Sequence, residues 1–153
     1  MEKTEPGPEI VVKQGASFAA KEEAVREACD MLARAGCVAS DYAESMLKRE
    51  SVNSTYLDKG LAIPHGMAED KIRVHKDGFA VLQIPAGVDW GNGERASIVI
   101  AMAAGVDTHL ELMSTLVKVL QNDQAMEKIK NTPDAEVIVR ILAGESLHSV
   151  KNR

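Results

Sequence analysis

The run Ile98-Val99-Ile100-Ala101-Met102-Ala103-Ala104 contains no polar side chain. It opens on three β-branched residues and is short, which predicts a strand buried on both faces. Such a strand needs an apolar layer on each side. The chain supplies that cover as helices. Residues 21–35 place Ala24, Val25, Ala28, Cys29, Leu32 and Ala35 at helical spacing, with Gly36 as a stop. Ser40 is a suitable N-cap for a second helix over roughly 41–50, with Asp41 favourable at its positive end. Asp107 or Thr108 caps a helix reaching about Leu120, with a stripe of Leu110, Met113, Leu116, Val117 and Leu120. A short helix follows over Asp123 to Lys130. Thr132-Pro133 opens the last one with proline in the first helical position, Val137, Ile138, Ile141 and Leu142 on its apolar face, and Gly144 as its end.

Further strands are expected over 61–65 and from Gly78 to Ile84, the latter closed by Pro85. Ser51 to Thr55 reads as a loop. Asn92-Gly93 is a turn signal between two strands, so at least one neighbouring pair is antiparallel. The pattern fits an α/β (α+β) fold, a single mixed β-sheet of about five strands with helices on both faces. Tails at 1–9 and 145–153 would flank one domain at 10–144, a size that sustains a core without metals or disulfides.

With aromatics at 3%, that core must be aliphatic. The net charge is −5, and no stretch is dense in Lys and Arg, which argues against nucleic-acid binding. No apolar run approaches the ~20 residues of a membrane span. The N-terminus lacks the pattern of a signal peptide. Cys29 and Cys37 form neither a disulfide framework nor a zinc pattern, and fit reduced thiols in a cytoplasmic protein, with Cys29 in the core.

The segment Gly60-Leu61-Ala62-Ile63-Pro64-His65-Gly66 is the strongest candidate for chemistry. Pro64 removes a backbone donor where the strand should stop, and Gly66 lets the chain turn away. His65 is then presented at the rim of a stiff sheet, facing out, as a nucleophile or proton carrier. His109 is expected in the first turn of the helix that follows the buried strand, where unsatisfied backbone N–H groups attract anions. Each histidine alone is more simply an ordinary structural residue. Their joint placement after apolar strands, where open sheets build sites, favours function. Arg49 either complements the C-terminal end of its helix or offers its planar fork to phosphate oxygens. His75 and His148 look solvated. Trp90 is expected to pack the hairpin against the domain. Gly87, Gly91 and Gly93 are not a phosphate-binding loop, because no Gly-Lys-Ser/Thr follows. A zinc site using His65 and His109 lacks a third ligand, and a serine-hydrolase elbow is missing.

The segment Tyr56 to Gly66 resembles the active-site segment of the enzyme IIA domains of the fructose–mannitol family, which belong to the bacterial phosphoenolpyruvate-dependent sugar phosphotransferase system. The likeness continues through Lys21-Glu22-Glu23-Ala24, Met46-Leu47-Lys48-Arg49-Glu50, Gly87-Val88-Asp89-Trp90-Gly91, and the strand leading to Thr108-His109-Leu110. The resemblance implies a cytoplasmic phosphotransferase component working through a phosphohistidine, with a mixed sheet between helices. His65 would take a phosphoryl group from phosphorylated HPr and pass it to a cysteine of enzyme IIB, for uptake of mannitol or fructose through the membrane enzyme IIC. His109 would stabilise the phosphoryl group and Arg49 would bind its oxygens. No cofactor or metal is implied. A nitrogen-class regulatory enzyme IIA, which signals by phosphorylation-dependent protein binding, would share the same first step.

Overall fold

The computed structural model describes residues 7–144. A mixed five-stranded sheet forms its centre, in the order β1-β4-β5-β3-β2. The strands are β1 (Glu9–Lys13), β2 (Tyr56–Asp58), β3 (Leu61–Ala62), β4 (Gly78–Gly91) and β5 (Glu94–Ala103). β1 runs parallel to β4, β4 antiparallel to β5, β5 parallel to β3, and β3 antiparallel to β2. The helices are α1 (Lys21–Arg34), α2 (Ala43–Val52), α3 (His109–Gln121), α4 (Asp123–Asn131) and α5 (Ala135–Leu142), and a 3-10 segment spans Ala68–Arg73.

The period-two alternation of the central strands divides the core between the two sheet faces. On one face Ala80 and Leu82 of β4 and Val99, Ala101 and Ala103 of β5 pack with α1 and α2. On the other, Phe79 and Val81 of β4 and Ile98, Ile100 and Met102 of β5 pack with the three C-terminal helices. The unbroken apolar run expected of β5 therefore has a physical basis, since every side chain from Ile98 to Ala103 enters one core or the other.

Several boundaries differ from expectation. Glu9, assigned from sequence to the tail, is the first residue of β1, a strand that the sequence did not reveal. Pro85 does not end β4; the register slips between Gln83 and Val88, so the proline sits in a bulge, where its missing donor costs no ladder bond. Ser40 does not cap α2. The helix begins at Ala43 after Tyr42, which is buried, while Asp41 pairs with Arg73. It also runs on to Val52, into the expected loop. Pro133 lies outside α5, whose N-cap is Asp134, accepting from the Glu136 N–H at 3.0 Å. The buried stripe of α3 is Leu112, Leu116 and Val119, and Leu110 faces solvent. The expected Asn92-Gly93 turn is present, with φ of 55° and 77°. His148 lies outside the described residues.

Both cysteines are free and buried. Burial pushes the Cys29 thiol up to about 12, so it is held as an unreactive thiol in the core.

Candidate functional site

β2 and β3 form a tight hairpin turned by Lys59 and Gly60, both at positive φ (55° and 82°), as a type I′ turn requires. The chain then leaves β3 along β5, with the Met102 N–H donating to the Pro64 carbonyl at 2.9 Å. Ile63 is held from the other side by its N–H to the Thr55 carbonyl at 3.0 Å. These bonds fix the backbone from which His65 projects.

Gly66 has another role than the one the sequence suggested. Its φ is not positive, so no left-handed turn demands glycine. A Cβ there would collide with the Tyr42 ring and hydroxyl and stand 2.9 Å from Ser45 Oγ. Ser45 in turn accepts from the Met67 N–H at 2.8 Å. The start of α2 thus clamps the backbone just after His65, and only glycine fits beneath it.

His65 is half-buried rather than turned freely outward. Its Nδ1 lies 2.9 Å from the Ile63 carbonyl. A carbonyl oxygen can only accept, so the proton is on Nδ1 and Nε2 keeps a bare lone pair. Burial is the main cause that pulls the ring's pKa below its ordinary value, opposed by the Ile63 bond and aided by the charges of Arg49 and Lys71. The neutral, nucleophilic form is favoured.

His109, the first residue of α3, meets His65 edge-on, with ring centroids 5.4 Å apart and an interplanar angle of 67°. Burial, then Lys71, His65 and Arg49, lower the His109 pKa as well. Arg49 closes α2 with a 2.7 Å bond from its guanidinium to the Asn53 carbonyl, so its helix-end role is real. Its charge also acts on both histidines. Of the residues singled out from sequence, His65 and His109 are in ring contact, while the contact of Arg49 is with the end of its own helix.

Lys71 was not foreseen. Its Nζ lies 3.0 Å from His109 Nδ1 and donates to the Ala104 carbonyl at 3.1 Å. The only sequence signal was a lysine six residues beyond His65. Three aliphatics beside these groups in the chain are strongly exposed: Ile72 (90%), Val106 (78%) and Leu110 (81%). His75 is exposed and does not join the site. Among the described residues no group of three or more His, Cys, Asp or Glu is placed to hold a metal ion, and no helix is long and apolar enough to cross a membrane.

Comparison with known proteins matches this arrangement to a family. Residues 8–144 match the family described as phosphoenolpyruvate-dependent sugar phosphotransferase system, EIIA 2. A multiphosphoryl transfer protein of Xanthomonas campestris is 42% identical over 135 residues, which are 88% of this chain and 16% of that protein. The mannitol-specific EIICBA component of Escherichia coli is 36% identical over 132 residues, 85% of this chain and 21% of that protein. The chain thus spans a small part of the length of these relatives. In the structure of the Escherichia coli complex of enzyme IIA mannitol with phosphorylated enzyme IIB mannitol, a matching chain superposes with a TM-score of 0.81. It is 34% identical and covers 88% of this chain and 94% of that one. A half-buried histidine with a bare Nε2, a second imidazole beside it and a match over almost the whole described length agree: the chain belongs to the EIIA 2 family of the phosphoenolpyruvate-dependent sugar phosphotransferase system.

Proposed function

We propose that this protein accepts a phosphoryl group from phosphorylated HPr on Nε2 of His65 and passes it to a cysteine of enzyme IIB. It would work in the cytoplasm, for uptake of mannitol or fructose through the membrane enzyme IIC, with residues 10–144 as the phosphotransfer domain. The observation that carries the reading is the bond between His65 Nδ1 and the Ile63 carbonyl, which leaves Nε2 free beside His109.

The step balances simply. The Nε2 lone pair attacks phosphorus in line as the P–N bond to the donor imidazole breaks, and that bond's electron pair returns to the donor ring. The new phosphoimidazole of His65 carries positive charge while Nδ1 keeps its proton, and the Ile63 carbonyl stabilises it. Transfer onward reverses the logic, with a thiolate as nucleophile. Little covalent machinery is needed, so orientation and charge stabilisation supply the rate. His109 and Arg49 are assigned to the phosphoryl oxygens. The exposed Ile72, Val106 and Leu110, near Lys71 and His109 in the chain, would offer partner proteins apolar contacts.

The test supplies phosphoenolpyruvate labelled on phosphorus, enzyme I and HPr, and follows label onto the chain and then onto purified IIB domains. Labelling of the wild type and none of His65→Ala is expected, with discharge to a mannitol or fructose IIB. Unchanged labelling of His65→Ala would remove His65 from the role. Labelling without discharge to any IIB would favour the regulatory output instead.

A further inference from the structure

The two histidines of the site differ in what holds their Nδ1 atoms. For His65 the partner is a carbonyl, an obligate acceptor. For His109 the partner is the Lys71 ammonium, 3.0 Å away. An ammonium has three donors and no acceptor, so His109 Nδ1 must accept and cannot carry a proton. A neutral ring then has its proton on Nε2. The pair is complementary: one imidazole exposes a lone pair and the other an N–H donor, as a nucleophile and an oxygen-stabilising group require.

Lys71 is itself well placed to impose this choice. It lies in the 3-10 segment Ala68–Arg73, a few residues beyond His65, and reaches across to the chain between β5 and α3. The second bond, to the Ala104 carbonyl, fixes the ammonium in space. The His109 loop is pinned independently, because Thr108 Oγ1 donates to the Asp77 carboxylate at 2.7 Å and the Gly105 N–H approaches the same oxygen at 3.4 Å. Losing the Lys71 side chain therefore need not unfold the loop.

We propose that Lys71 is a positioning residue that locks His109 in the Nε2–H tautomer, so that this ring donates a hydrogen bond to the phosphoryl group on His65. The inference rests on the assignment of His65 as phosphoryl carrier, but its first readout does not. In the unphosphorylated protein at neutral pH, nitrogen NMR of the imidazoles should show a bare Nδ1 and a protonated Nε2 for His109, and the opposite pattern for His65. Lys71→Met should bring an Nδ1–H population to His109 and slow transfer from phosphorylated HPr about tenfold, the scale of one lost charged hydrogen bond. Lys71→Arg, which still only donates, should keep the tautomer and most of the rate. A wild-type His109 protonated on Nδ1 would overturn the proposal without any variant. So would a folded Lys71→Met protein with an unchanged tautomer, whatever its rate. Failure of phosphorylation on His65, with the two tautomers as described, would instead count against the carrier role alone.

Discussion

The indole Nε1 of Trp90, on β4, donates to the carboxylate of Glu50, on α2, at 2.9 Å. Glu50 is almost fully buried and also accepts from the Thr55 N–H at 3.1 Å, the Thr55 hydroxyl at 2.5 Å and the Lys21 ammonium at 3.3 Å. Lys21 closes the ring by donating to the Trp90 carbonyl at 3.2 Å. One carboxylate thus joins the start of α1, the end of α2, the residue before β2 and the hairpin of β4. Arg49 is its neighbour in sequence, so this network sets where α2 presents its guanidinium.

Replacing Glu50 by alanine strips the partner from an indole N–H, a backbone N–H and a hydroxyl, and the counter-charge from a partly buried ammonium. A loss of about 3–5 kcal/mol is expected, as for breaking a buried ionic pair. The chain's one tryptophan is part of the network, so its fluorescence during urea unfolding reports on it directly. A wild-type urea midpoint in Glu50→Ala would show that the ring of bonds does not support α2.

The sequence made the middle of the sheet legible and its edges much less so. β5 could be read because burial on both faces leaves an unbroken apolar run. α1 and α5 could be read because one stripe of each meets the sheet. β1 was missed because its five residues are stabilised by pairing with β4, far away in the chain, and local pattern carries no trace of that partner. β2 was missed because its hairpin turns on Lys59, and lysine is not among the residues that advertise a positive φ. His65 and His109 were visible through their placement after strands, whereas Lys71 earns its position only through a contact across the fold.

Gly66 should be intolerant of a single methyl. Gly66→Ala drives a Cβ into the buried Tyr42 hydroxyl and toward Ser45 Oγ, at the point where α2 clamps the His65 segment. The expected cost is about 1–3 kcal/mol, the range for overpacking a filled site. Thermal or urea unfolding checks it, and a variant as stable as wild type would mean the loop shifts away without strain.

The titration of the His65 and His109 rings should leave a mark on stability. Both pKa values lie below the ordinary 6.5, burial being the main cause in each. As pH falls below 6.5, the unfolded chain takes up protons before the native one does. The contribution to stability is therefore whole above 6.5 and is lost as pH drops through the folded values. NMR titration should place both midpoints under 6.5, and urea unfolding of the wild type should weaken in that window more than that of His65→Ala. Midpoints at or above 6.5 would show that burial does not govern these rings.

His109→Ala and Arg49→Ala should separate chemistry from architecture. His109 is only partly buried, at the start of α3, and its ring meets His65 rather than the core. Its alanine variant should fold normally and transfer the phosphoryl group on the order of a hundredfold more slowly, the scale of one lost donor at developing charge. Arg49 has one observed contact and one proposed task. Its bond to the Asn53 carbonyl completes the end of α2, a partly exposed contact worth about 1 kcal/mol or less. Its charge toward the two imidazoles suits it to a phosphoryl group held between them, worth roughly tenfold to a hundredfold in rate. Stopped-flow transfer from phosphorylated HPr, set beside urea unfolding of the same variants, divides the two. A slow but stable Arg49→Ala protein supports oxygen binding. A destabilised variant with normal kinetics would confine Arg49 to its helix end, and normal transfer by His109→Ala would make that ring structural.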